Sequence, residues 1–149
     1  MPRDANKIWE AWGRTNALYT AWCADRGQNP YQLFVLYAIN AHEPVTQKKI
    51  ADYTGLSKQT VSTIMRSLKA KNYAVLRAGG TDRREKSVQL TQEGKNFVKE
   101  VLTPLYELET RIFNIIGAER MKRMSDAIAL FNTVFEKEME NQRDELAKK

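Results

Sequence analysis

Between Thr46 and Leu90 the sequence changes its hydrophobic period, and few folds accommodate that change. Thr46 reads as the N-cap of a short helix ending near Tyr53, and Gly55 supplies the tight turn after it. Ser57 caps a second helix, from Lys58 to about Lys71, which buries Val61, Ile64, Met65 and Leu68 at helical spacing. Its free face carries Lys58, Gln59, Ser62, Thr63, Arg66 and Lys69. The period then shortens. Ala74 to Ala78 forms one short strand, Gly79 and Gly80 open a turn, and Lys86-Ser87-Val88-Gln89-Leu90 alternates as a second strand. Two short helices about a glycine turn, followed by a β-ribbon with the tip Thr81-Asp82-Arg83-Arg84-Glu85, spell a winged helix-turn-helix.

The charge distribution singles out the same stretch. Residues 46–90 hold ten basic and three acidic side chains, a net of +7, whereas the rest of the chain is close to neutral within an overall +6. A polyanion is the natural partner of such a segment. Proteins that hold single strands interleave stacking rings with their cations, yet only Tyr53 and Tyr73 fall here, while Trp9, Trp12, Tyr19 and Trp22 crowd the N-terminus. Duplex phosphate is therefore favoured over unstacked bases.

The flanks read as helices. Ile8, Trp12, Thr15, Tyr19 and Trp22 stripe one helix from Asp4 to about Asp25, which Gly27, Asn29 and Pro30 end. Tyr31 to Ala41 is apolar on nearly every side and should be central. Thr91 caps a long helix carrying Phe97, Val101, Leu105, Leu108, Ile112 and Ile115, with a kink expected at Pro104. After Gly117 a last helix spaces Met121, Met124, Ile128, Phe131 and Phe135 by three and four. A winged lobe of this size cannot cover both terminal stripes, so a second copy is expected to meet them through Ile8, Trp12, Met121, Met124, Ile128, Phe131 and Phe135. The predicted fold class is mainly α with a small β-hairpin wing. Residues 30–91 form the DNA-binding lobe, and 1–29 and 92–149 form dimerisation helices.

Several classes fall away. One Cys and one His cannot build a zinc finger, a disulfide framework or a histidine-rich metal site. No Ser-His-acid set avoids drawing on His42, and no phosphate-binding glycine loop exists beyond Gly79-Gly80, so an enzyme is not expected. The opening MPRDANKIWEAWGR is charged throughout and no apolar run has the length of a membrane span, which predicts a soluble, cytoplasmic protein without cofactor.

Asp82-Arg83-Arg84 followed by Val88-Gln89-Leu90-Thr91-Gln92-Glu93-Gly94 resembles the wing motif of the multiple-antibiotic-resistance regulator (MarR) family. Ser57, Thr60, Val61 and Ser62, with Leu68 beyond, resemble that family's recognition helix, and the likeness extends along the whole chain. The resemblance implies a homodimeric transcriptional repressor that grips pseudo-palindromic operator DNA. It places Gln59, Thr60, Ser62 and Thr63 at base edges, Arg84 in the minor groove and Asp82 as a brace of the wing tip. Ser57, Lys58, Arg66, Arg83 and Lys86 complete the DNA-facing set. Thr63 stands where many relatives have Arg, so the base preference is this chain's own. Asn72 stands where Gly is common, and Asn tolerates the left-handed backbone expected there.

The resemblance also implies release by a small aromatic or phenolic effector, with Trp12, Tyr19, Tyr37 and His42 as candidate walls of its pocket. Two alternatives stand beside this reading. Some relatives sense peroxide through a cysteine in the first helix, although Cys23 lies toward the far end of that helix and has no second cysteine to resolve it. A winged domain can also serve protein assembly or RNA binding.

Overall fold

A computed structural model describes residues 3–78 and 86–148. The wing-tip residues Asp82, Arg83 and Arg84 thus lie outside the described residues. In chain order the elements are α1 (Arg3–Ala24), α2 (Pro30–His42), β1 (Val45–Thr46), α3 (Gln47–Thr54), α4 (Lys58–Ala70), β2 (Ala74–Ala78), β3 (Lys86–Leu90), α5 (Gln92–Ile116) and α6 (Ala118–Ala147). The mainly helical class with a small antiparallel sheet is as the sequence indicates.

Local chemistry sets these boundaries. Asn29 Oδ1 accepts from the amides of Tyr31 and Gln32, and Pro30 occupies the first position of α2, where its missing N–H costs nothing. Thr46 Oγ1 accepts from Lys49 N at 3.2 Å, and Ser57 Oγ from Thr60 N at 3.0 Å. Gly55 closes α3 at φ 69°, a left-handed backbone that opens the turn into α4. Asn72 takes the same region at φ 59°. Thr91 Oγ1 accepts from Gly94 N at 2.9 Å and donates to Asn72 O at 2.6 Å, so one hydroxyl starts α5 and ties it to the turn after α4. Gly94 is required for closeness: a Cβ there would lie 1.8 Å from Tyr73 O.

The chain divides into two compact units, Met1–Pro104 and Leu105–Lys149. In the first, the sheet order is β1-β3-β2, antiparallel throughout, with Val45 opposite Val88 and Leu76 opposite Val88 on the other side. The two-residue strand β1 was not foreseen. Val45-Thr46 is too short for an alternation to show, and it pairs only because β3 arrives from more than forty residues downstream.

The core of this unit gathers Leu33, Leu36 and Ile39 from α2, Ile50 from α3, Val61, Met65 and Leu68 from α4, and Val88 from β3. Each such side chain contributes roughly 1.5–3 kcal/mol by leaving water. Tyr73 and Phe97 stack at 4.4 Å, joining the segment after α4 to α5. The expected apolar stripe of α1 is covered only toward its end. Cys23 is buried, Tyr19 meets Phe34 edge-on at 6.3 Å, and Ile8 and Trp12 each remain about half exposed at 48%.

The second unit holds the end of α5, the turn at Gly117 (φ 89°) and α6. Pro104 lies inside α5, at the division between the units. Along its 30 residues α6 has no buried residue.

Candidate nucleic-acid interface

The helix-turn-helix is built as two amphipathic helices that share one core. Ile50 and Ala51 of α3 and Val61, Met65 and Leu68 of α4 point inward. The helical period therefore forces Gln59, Thr63 and Arg66 outward, and all three are exposed, as are Lys58, Ser67 and Lys69. Ser62 is half-buried at the flank.

Thr60 is placed differently from its neighbours. It is half-buried, its amide donates to Ser57 Oγ, and the two hydroxyl oxygens lie 2.9 Å apart. Its hydroxyl thus sits against the cap, while Lys58, Gln59, Thr63 and Arg66 are the more exposed members of the expected DNA-facing set on α4. Ser57 occupies the mouth of the helix, where unsatisfied amides attract a phosphate.

Lys48 and Lys49 on α3, Arg77 on β2 and Lys86 on β3 are also exposed. Ala78 and Lys86 are paired across the ribbon at the edge of the described residues. Among the described residues the ion pairs are Lys7–Asp4, Lys122–Asp126 and Arg123–Glu119, all outside the cationic segment. Among the described residues the lobe's cations thus have no ion-pair partner, which leaves their charge open to a polyanion.

The wing is anchored from an unexpected side. Glu43 Oε1 accepts from Leu90 N at 2.7 Å, so a carboxylate at the end of α2 holds the last amide of β3. Nothing in a single sequence marks this pairing, since the two residues are 47 positions apart.

A cavity of about 400 Å³ opens in the same unit, lined by Asn16, Phe34, Tyr37, Ala38, His42, Tyr53 and Thr54. Two of the four anticipated ligand residues, Tyr37 and His42, line it, whereas Trp12 and Tyr19 do not. The His42 and Tyr53 rings stack at 4.1 Å and 20°. Tyr53 escaped the sequence reading because its partner comes from a different helix, and a lone Tyr on a short helix carries no distinguishing period.

Cys23 is fully buried, and burial raises its thiol pKa against a partial opposing pull from Arg26. Both burial and the raised pKa suppress the thiolate that peroxide sensing needs. Among the described residues no group of three or more His, Cys, Asp or Glu side chains is arranged to hold a metal, and no helix is long and apolar enough to cross a membrane.

Residues 27–85 match the family model described as the MarR family. The chain is 26% identical over 122 residues to the HTH-type transcriptional regulator SarZ of Staphylococcus epidermidis, covering 82% of each. Its fold is similar to that of NMB1585, a MarR family regulator from Neisseria meningitidis, with a TM-score of 0.82 and 23% identity over 94% of this chain and 99% of that one. It is also similar to Bordetella bronchiseptica BpsR, whose DNA binding is regulated by 6-hydroxynicotinic acid, with a TM-score of 0.61 and 22% identity over 89% and 94% of the two chains. At these identities the structural likeness is one of fold. Motif, charge, topology and relatives converge on residues 27–85, the segment that matches the MarR family model, within a chain whose fold is similar to that of a MarR family regulator.

Proposed function

We propose that this protein is a homodimeric repressor that binds a pseudo-palindromic operator in the cytoplasm and is released by a small molecule. The observation that carries the reading is the outward face of α4, where Gln59, Thr63 and Arg66 stand exposed among cations that form no ion pair among the described residues. A twofold pair of such lobes sets two recognition helices about 34–36 Å apart, in successive major grooves.

Gln59 is suited to an adenine edge, the Thr63 methyl to a thymine methyl, and Arg66 to guanine or phosphate. Ser57, Lys58 and Lys86 take phosphates, as do Lys48 and Lys49. Arg84 meets the minor groove, whose narrow stretches concentrate negative potential, and Arg83 belongs to the DNA-facing set beside it. Residues 30–91 serve as the DNA-binding lobe and the flanking helices as the means of dimerisation. The exposed apolar residues support the second part: Ile8 and Trp12 on α1, and Met124, Ile128, Phe131 and Phe135 on α6, form stripes of the kind that mark protein interfaces.

Selection of bound duplexes from genomic fragments tests the reading. Recovered sites should carry an inverted repeat with half-sites about one helical turn apart. Recovery of single half-sites, or of no duplex, would contradict it.

A further inference from the structure

The cavity beside His42 and Tyr53 has a chemistry that restricts its ligand. Its walls are mostly rings, from Phe34, Tyr37, His42 and Tyr53, and its size falls in the range of small-molecule sites. Among the described residues no Lys, Arg, Asp or Glu lines it. His42 is the last residue of α2 and Thr54 the last of α3, so two helix carboxyl ends converge on one pocket. Helix carboxyl ends carry partial negative charge. Tyr and Phe faces likewise attract positive charge. Of the wall residues only His42 has a side chain able to carry positive charge, so a bound anion would give up water for a site with no permanent cation to replace it. The Thr54 hydroxyl is already used, donating to Ile50 O at 2.7 Å and accepting from Leu56 N at 3.3 Å.

We infer that this cavity is an effector site for a flat aromatic cation, such as a protonated amino-substituted N-heterocycle, and that it discriminates against carboxylates. This rests on the reading of the winged lobe as a DNA-binding regulator. The ligand lies against the His42–Tyr53 stack, which at 4.1 Å leaves no gap for a third ring, or parts it. Either way the effect reaches DNA-facing parts. Tyr53 and Thr54 lead through Gly55 directly into α4, and His42 precedes Glu43, whose carboxylate holds Leu90 of β3. A ligand that prefers one setting of these elements shifts DNA affinity by its differential binding.

The test uses calorimetry on the full chain at neutral pH with three bicyclic probes of similar size: 4-aminoquinoline as a cation, 1-naphthol as a neutral molecule and 1-naphthoate as an anion. The cation should bind at least about tenfold tighter than the anion, with the neutral probe between them. Tyr53→Lys, at a side chain 55% exposed and hence tolerant of substitution, should reverse the order, while Tyr53→Phe should keep it. Circular dichroism melts establish that both variants fold. Equal affinities, a preference for naphthoate, binding that ignores Tyr53→Lys, or no binding of any probe would overturn the assignment. Saturating 4-aminoquinoline should also change affinity for a selected duplex by about fivefold or more, and the duplex should change 4-aminoquinoline affinity by the same factor. If the charge order holds but no duplex binds, the regulator reading fails and the pocket assignment survives. If the duplex binds with unaltered affinity, the effector role is overturned.

Discussion

Helices α4 and α6 are both amphipathic by sequence, with apolar side chains three and four apart, yet their environments are opposite. In α4 the apolar side is closed: Val61, Met65 and Leu68 are at most 1% exposed, and the polar side faces water. In α6 the apolar side is open, with Met124, Ile128, Phe131 and Phe135 each about half exposed. The same periodicity has therefore been satisfied by the chain's own core in one place and left exposed in the other. A helix whose apolar stripe is met within its lobe can devote its other face to recognition. A helix whose stripe stays open is, on the function proposed above, the contact surface for a second copy.

That contrast can be broken experimentally at its open end first. Phe131→Asp in α6 should dissociate the dimer in analytical ultracentrifugation. It should also weaken binding to a two-half-site operator by about 10²–10⁴-fold, because the second lobe no longer binds as an intramolecular event. A variant that stays dimeric would move the interface elsewhere. At the closed end, Leu68→Ala leaves a cavity at a fully buried side chain and should cost about 2–5 kcal/mol in denaturant unfolding. A loss well below about 2 kcal/mol, the floor for such sites, would mean that α4 is not held as described.

Smaller effects sharpen the recognition face. Arg84→Ala should weaken binding to all duplexes alike and flatten the plot of log affinity against log salt by about one unit. An unaltered slope would separate the wing from the DNA. Ser57→Ala removes the acceptor of the Thr60 amide and should destabilise the lobe by about 1 kcal/mol in thermal melts.

How much could be read from the sequence follows the same division between local and long-range causes. The caps at Thr46 and Ser57, the turn at Gly55 and the left-handed Asn72 were legible because each acts on amides or dihedrals within a few positions. Strand β1, the Glu43–Leu90 hydrogen bond and the His42–Tyr53 stack were not, because each joins segments that only the finished fold brings together. Gly94 shows a middle case. It belongs to a motif visible in the sequence, but the reason for it, the approach of Tyr73 O, is visible only in the structure. Thr60 is half-buried with its hydroxyl 2.9 Å from that of Ser57, a pairing that its position on α4 did not announce.

Fluorescence anisotropy of a labelled inverted-repeat duplex, titrated with protein from low to physiological salt, tests the central claim most directly. Two chains should saturate each duplex, with affinity falling steeply and linearly on a log–log plot as phosphate counterions are released. Saturation by one chain, or no rise in anisotropy even at low ionic strength, would contradict it.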